Sequence, residues 1–318
     1  MACSFDLSGK KIWVAGHRGM VGAAILRQLE KEKDVTLLTI SHKELDLRDQ
    51  AGVNTWVKDN KPDVVFLAAA KVGGIMANST YPADFIYDNL AITTNIIHAA
   101  WMNGVQKLVN IGSSCIYPKF APQPIKEDSL LSGPLEPTNE YYALAKIAGI
   151  KMCQAYRAQY GADFIALQPC NLYGPGDTYH GENSHVIPAM ILKFQASKDR
   201  GDSFLELWGT GTPLREFLFV DDLAEAAVFL CKTYSDPIPM NVGFGTDLSI
   251  RDLAHKIAAV VGYKGEIRFN PEKPDGTPKK LLDVSRLEAA GWKAKTSLDE
   301  GLKIAYQDYL SRIEKKAA

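Results

Sequence analysis

Two short stretches of this 318-residue chain have the residue types and spacing for chemistry. The stretch GSSCIYP, Gly112 to Pro118, follows the apolar run KLVNI and puts two hydroxyls and a thiol at what reads as the end of a buried strand. Tyr142 and Lys146 lie four apart on a helical pattern and so share one face, and of the 13 tyrosines this one alone has lysine at that spacing. A phenol, an ammonium and a serine hydroxyl at one sheet edge suit the reduction of a carbonyl. Ser113 would hydrogen-bond the carbonyl oxygen, Tyr142 would protonate it, and Lys146 would bind a ribose and, together with a positive nicotinamide-side environment, favour the phenolate, lowering a phenol pKa that is ordinarily about 10. Plain carbonyl reduction has no use for Cys115, which is therefore either a small core filler or a second chemical group.

A third motif supplies a place for a reductant. In AGHRGMVG, Gly16, Gly19 and Gly22 sit at a strand-to-helix turn, where missing side chains let a pyrophosphate approach the free N–H groups of a helix N-terminus. NAD-binding units of this kind carry an acid roughly 20 residues further on to hold the ribose 2′-hydroxyl. Here the second strand ends in Ser41, His42 and Lys43, with Glu44 and Asp46 slightly late. Arg18 and His42 offer positive charge for a 2′-phosphate, so the expectation is NADP, against the alternative that both are solvated loop residues.

The elements that must position these groups alternate. KIWVA, DVTLLTI, DVVFLAA, KLVNI and DFIALQP read as strands, separated by amphipathic helical stretches, the longest at 83–102 and 137–159. Near-continuous apolar strands alternating with helices predict an α/β fold with a doubly wound parallel sheet. The texture breaks at NLYGPGD, Asn171 to Asp177, which predicts a cofactor-binding domain over 1–170, completed by about 216–245, and a smaller C-terminal substrate-binding domain over 171–318. Within the latter, KPDGTPKK reads as an exposed loop.

Composition narrows the function classes. A hydrophobic fraction of 46%, a charged fraction of 23% and a net charge of -1 give no basic excess for nucleic acid or an anionic membrane, so a small-molecule partner is expected. No apolar run reaches the length of a membrane span or a signal-peptide core, and the expected location is the cytoplasm. Five scattered cysteines without a C-x-x-C pair predict reduced thiols, no disulfide framework and no metal site.

With AGHRGMVG, GSSCIYP and YALAK on the page, the chain resembles the extended short-chain dehydrogenase/reductase family. The likeness runs nearly end to end through AAAKVGGI, YPADFIYDN, EPTNEYYALAKIAGIK, NLYGPGD, NSHVIPAMI, WGTGTPLREFLFVDDLA and KPDGTPKKLLDVSRL. The resemblance implies a Rossmann-type domain that contacts NADP(H) through Gly16, His17, Arg18, Gly19, Met20, Val21, Gly22, His42, Asp46, Leu47, Ala69, Ile111, Gly112, Ser114, Lys146, Pro169, Asn171, Leu172 and His185. It also implies a homodimer. The Cys and His elements are particular to the branch that acts on GDP-4-keto-6-deoxy-D-mannose. In that branch Ser113, Tyr142 and Lys146 serve the reduction, while Cys115 as base and His185 as acid invert C3 and C5. Lys193, Trp208, Arg215 and Asp283 match its substrate-binding positions. Lys193 stands where relatives can carry arginine, and Trp208 reads equally well as a core residue. Rival readings are a nucleotide-sugar 4-epimerase or 4,6-dehydratase recycling tightly held NAD, and a non-catalytic NADP-binding sensor.

Overall fold

The computed structural model describes residues 4–180, 184–273 and 275–317. Its centre is a six-stranded parallel sheet in the order β2-β1-β3-β4-β5-β9, from β1 (Lys11–Ala15), β2 (Thr36–Leu38), β3 (Val64–Leu67), β4 (Lys107–Ile111), β5 (Asp163–Pro169) and β9 (Met240–Val242). Alternation along each strand shows why both faces are covered. Ile12, Val14, Val64, Phe66 and Val109 enter one core, whereas Trp13, Val65, Leu67 and Leu108 enter the other. The first core is closed by α1 (Met20–Leu29) and α7 (Val220–Thr233), and the second by α2 (Gln50–Asn60), α4 (Pro82–Met102) and α5 (Glu140–Tyr160). The short α3 (Ile75–Thr80) leads into α4.

The second lobe has its own apolar centre, built on Phe194, Phe217, Phe219, Leu253, Ile257 and Tyr306. It comprises β6 (Asn171–Tyr173), α6 (Val186–Arg200), β7 (Phe204–Trp208), β8 (Leu214–Phe219), β10 (Asp247–Ser249), α8 (Ile250–Val261), β11 (Glu266–Asn270) and β12 (Lys279–Lys280), followed by α9 (Ser285–Ala289) and α10 (Leu298–Ala317). β8 is flanked by β10 and β12 and also pairs with β6, while β7 pairs with β11. Between β8 and β10 the chain returns to the first lobe to add α7 and β9.

One element departs from the sequence-based expectation. The last two residues of KPDGTPKK are a strand: Lys279 pairs with Leu214 and Lys280 with Arg215 of β8 in parallel register. Two polar residues carry no periodic signal, so this pairing is set by tertiary contact.

Candidate active site

β1 and β3 are neighbours, but their outer partners lie on opposite sides, which makes the gap beyond their carboxyl ends the topological switch point where open α/β sheets bind ligands. Gly16 leaves β1 here with φ +88°, and a Cβ on it would stand 2.6 Å from the backbone nitrogen of Ala69. Gly22 lies six residues on, in the first turn of α1, where a Cβ would come 2.2 Å from the Gly16 carbonyl oxygen. Gly19 caps α1 without using a side chain, so the helix N-terminus faces the cleft with His17, Arg18, Met20 and Val21 around it. A nucleotide pyrophosphate fits such a side-chain-free cradle.

At the expected adenosine end both acidic groups are locally engaged. Glu44 folds back to accept from the backbone N–H and hydroxyl of Ser41, which holds its carboxyl below the usual range. Asp46 is bound by Arg48, which brings its pKa down to about 2, and Arg48 reaches on to Asp88. Arg18 and His42 are exposed, Arg18 near Glu44 and His42 near Asp46. Leu47 gives its carbonyl to the Asn95 amide.

The ends of β4 and β5 carry the other groups. Lys146 is buried, and its ammonium donates to the Ile111 carbonyl at 2.9 Å while lying 5.8 Å from the centre of the Tyr142 ring. Gln168, fully buried on β5, accepts the Ser113 N–H at 3.0 Å and so fixes the backbone of the loop after β4. Gly112 has to be glycine because a Cβ would meet that same side-chain oxygen at 2.0 Å. Ser113 accepts from the Cys115 N–H at 3.2 Å and faces the Tyr142 hydroxyl, and Ser114 is buried behind them. Pro169 ends β5, and Asn171 and Leu172 lie on β6, where the Asn171 amide donates to the Glu216 carbonyl.

Proton affinities here follow burial. Desolvation pushes the Tyr142 phenol upward, with the neighbouring Cys115 adding to the rise and the Ser113 hydroxyl opposing it. Burial lowers Lys146 to about 8. The Lys146 ammonium is turned to a backbone carbonyl and is not among the groups that act on the phenol here.

Cys115 is half-buried and free, whereas Cys153, Cys170 and Cys231 are buried. Its sulfur receives the Asn139 amide at 3.4 Å and the Lys280 ammonium at 3.6 Å, and it feels the Arg215 guanidinium. His185 is the N-cap residue of α6, exposed and separated from the undescribed residues 181–183 by Ser184. Among the described residues it has no hydrogen bond to Ser113, Cys115 or Tyr142.

Trp208 is 58% exposed at the end of β7, with the ammonium groups of Lys193 and Lys273 5.5 and 5.6 Å from its ring centre, so it is a surface platform and not core. Asp283 stands two residues ahead of α9, where its carboxylate accepts the Ser285 N–H at 2.9 Å. The acid beside Arg215 is Asp275, held by the Thr210 backbone and hydroxyl. Asn139, Gln168, Lys273, Asp275 and Lys280 carry no short-range sequence signal that distinguishes them from ordinary polar residues.

A glycine cradle at the switch point, with a Ser/Tyr/Lys group at the adjoining strand ends, defines a dinucleotide-dependent enzyme of carbonyl chemistry. The chain belongs to the NAD dependent epimerase/dehydratase family, whose model matches residues 12–243. It is 53% identical to the GDP-L-fucose synthase of Sinorhizobium fredii, over 96% of this chain and 98% of that one. It is 55% identical to GDP-L-fucose synthase 1 of Arabidopsis thaliana, over 95% of this chain and 94% of that one. Among solved structures it resembles the GDP-mannoheptose C4 reductase MlghC of Campylobacter jejuni with NADP bound, at a TM-score of 0.87 and 37% identity, over 96% and 99% of the two chains.

Proposed function

We propose that this chain converts GDP-4-keto-6-deoxy-D-mannose to GDP-L-fucose, inverting C3 and C5 and then reducing the C4 ketone with NADPH. The observation that carries the reading is the place of the Cys115 sulfur, two residues from Ser113 and beside Tyr142, with two nitrogen donors on it. Likeness to GDP-L-fucose synthases over nearly the full chain supports the substrate, and the NADP-bound relative supports the cofactor.

The glycine turn, Ala69, Ile111, Gly112, Lys146 and the Pro169–Leu172 segment would hold the cofactor, with Arg18 and His42 toward its 2′-phosphate. When bound, NADPH supplies the hydride for C4. Ser113 and Tyr142 hold the C4 oxygen, and the charge they stabilise there makes the hydrogens on C3 and C5 acidic. Cys115 removes those protons, and His185 returns protons on the opposite face. Tyr142 finally donates its proton to the C4 oxygen. Its raised proton affinity keeps it the acid that reduction needs. Lys193 and Arg215 would meet the diphosphate and Trp208 a flat face of the nucleotide. Asp283 would supply a carboxylate for substrate hydrogen bonds, with Asp275 beside Arg215 as a second.

The test is NADPH absorbance with GDP-4-keto-6-deoxy-D-mannose, followed by identification of the sugar. GDP-L-fucose is expected. Reduction without inversion would leave a plain ketoreductase, and NADPH binding without oxidation would favour the sensor.

Among the described residues no helix is long and apolar enough to cross a membrane, and we place the enzyme in the cytoplasm with its soluble substrate. We assign the homodimer surface to α4 and α5, which pack together yet leave Tyr87, Met102, Tyr141, Leu144 and Tyr160 exposed. Light scattering at micromolar concentration should give twice the chain mass of 34.9 kDa, and a monomer would refute the assignment.

A further inference from the structure

Lys280 comes from the C-terminal lobe, 165 residues along the chain from Cys115, yet its ammonium is 3.6 Å from the Cys115 sulfur. Strand geometry puts it there. Successive residues of a strand point to opposite faces, and in β12 Lys279 points to Asp247, at 3.3 Å, while Lys280 points the other way. Lys280 is the register partner of Arg215 on β8, so two cations stand side by side next to the thiol. The strand is pinned on both sides: before it Thr277 donates to Glu136 at 3.2 Å and Asp275 accepts from Thr210, and after it the Leu281 N–H donates to Gln123 at 2.8 Å.

The groups that face the sulfur are hydrogen-bond donors and cations. Arg215 faces it from β8, Tyr142 from α5 and the Asn139 amide from the loop before α5. The nearby acids are engaged: Glu136 by Lys119 at 2.9 Å, and Asp275 by Thr210. Behind Lys280, Cys170 is a fully desolvated thiol held neutral by burial, and Glu216 takes its donors from the Gly245 and Leu282 backbone.

We propose that Lys280 is a positioning residue for the epimerisation, its ammonium holding the Cys115 sulfur as the thiolate that removes the sugar protons. The proton leaves Cys115 for solvent before substrate is attacked, and Lys280 itself transfers no proton. This role rests on the proposed C3/C5 chemistry, so the first readout needs no substrate. In the full-length protein, Lys280→Met is expected to slow iodoacetamide alkylation of Cys115, followed by mass spectrometry of its peptide, about tenfold at pH 7, and to move the pH of half-maximal alkylation up by about one unit. Lys280→Arg should restore the wild-type profile.

With GDP-4-keto-6-deoxy-D-mannose in D2O, Lys280→Met should lose about tenfold in deuterium incorporation at pH 7 and recover toward pH 9. Alkylation that shifts while no variant exchanges the sugar would uphold the Lys280–Cys115 link and refute the sugar chemistry. An unchanged alkylation profile in a Lys280→Met protein that still binds NADPH would overturn the proposal. So would a raised KM with an unmoved pH profile, which would make Lys280 a substrate contact only. If Lys280→Met fails to fold, Lys280→Gln carries the same readouts.

Discussion

Cys115→Ser is expected to suppress deuterium incorporation at C3 and C5 of the sugar by about 10²–10⁴-fold while NADPH binding is unchanged. A serine hydroxyl is a far weaker acid than a thiol, and the donors that reach the sulfur, Asn139 at 3.4 Å and Lys280 at 3.6 Å, cannot ionise it at neutral pH. The local fold should survive, because Ser113 caps the turn through the backbone N–H of residue 115 and not through its side chain. Loss of exchange should appear by proton NMR as retained signals in D2O, with any NADPH consumption yielding an uninverted sugar. Exchange at the wild-type rate would remove Cys115 from the mechanism and return it to packing.

Tyr142→Phe should lower NADPH oxidation by about 10²–10⁴-fold, since the C4 oxygen loses its proton donor as hydride arrives. Exchange at C3 and C5 should fall less, because Ser113 still faces the carbonyl oxygen. The direction of the Tyr142 shift adds a pH signature. Burial holds the phenol protonated, so wild-type reduction should not decline between pH 7 and 9 through loss of this proton. A steep decline there, absent in Tyr142→Phe, would mean that the phenol ionises in the working enzyme. Equal loss of exchange and reduction would place Tyr142 in enolate formation as much as in reduction.

The local parts of this protein are legible along the chain. KIWVA, KLVNI and DFIALQP coincide with β1, β4 and β5 because continuous apolar runs leave no other way to cover both faces of a strand. The Tyr142/Lys146 pair shares a face through helical period alone. Gly16 and Gly22 stand where backbone approaches backbone, a condition written in a few consecutive residues.

Distant contacts decided the rest. The proton affinity of Tyr142 depends on what buries it and what stands beside it, which the four-residue spacing does not contain. Asp275 has no motif to mark it, and only folding brings it beside Arg215. Lys280 sits in a polar stretch with no periodicity, and only pairing with β8 turns it to Cys115. Hydrophobic period, helical spacing and glycine are short-range constraints that act within a few residues. Desolvation and charge depend on which distant segments fold against them, and in this protein those segments set the state of the reacting groups.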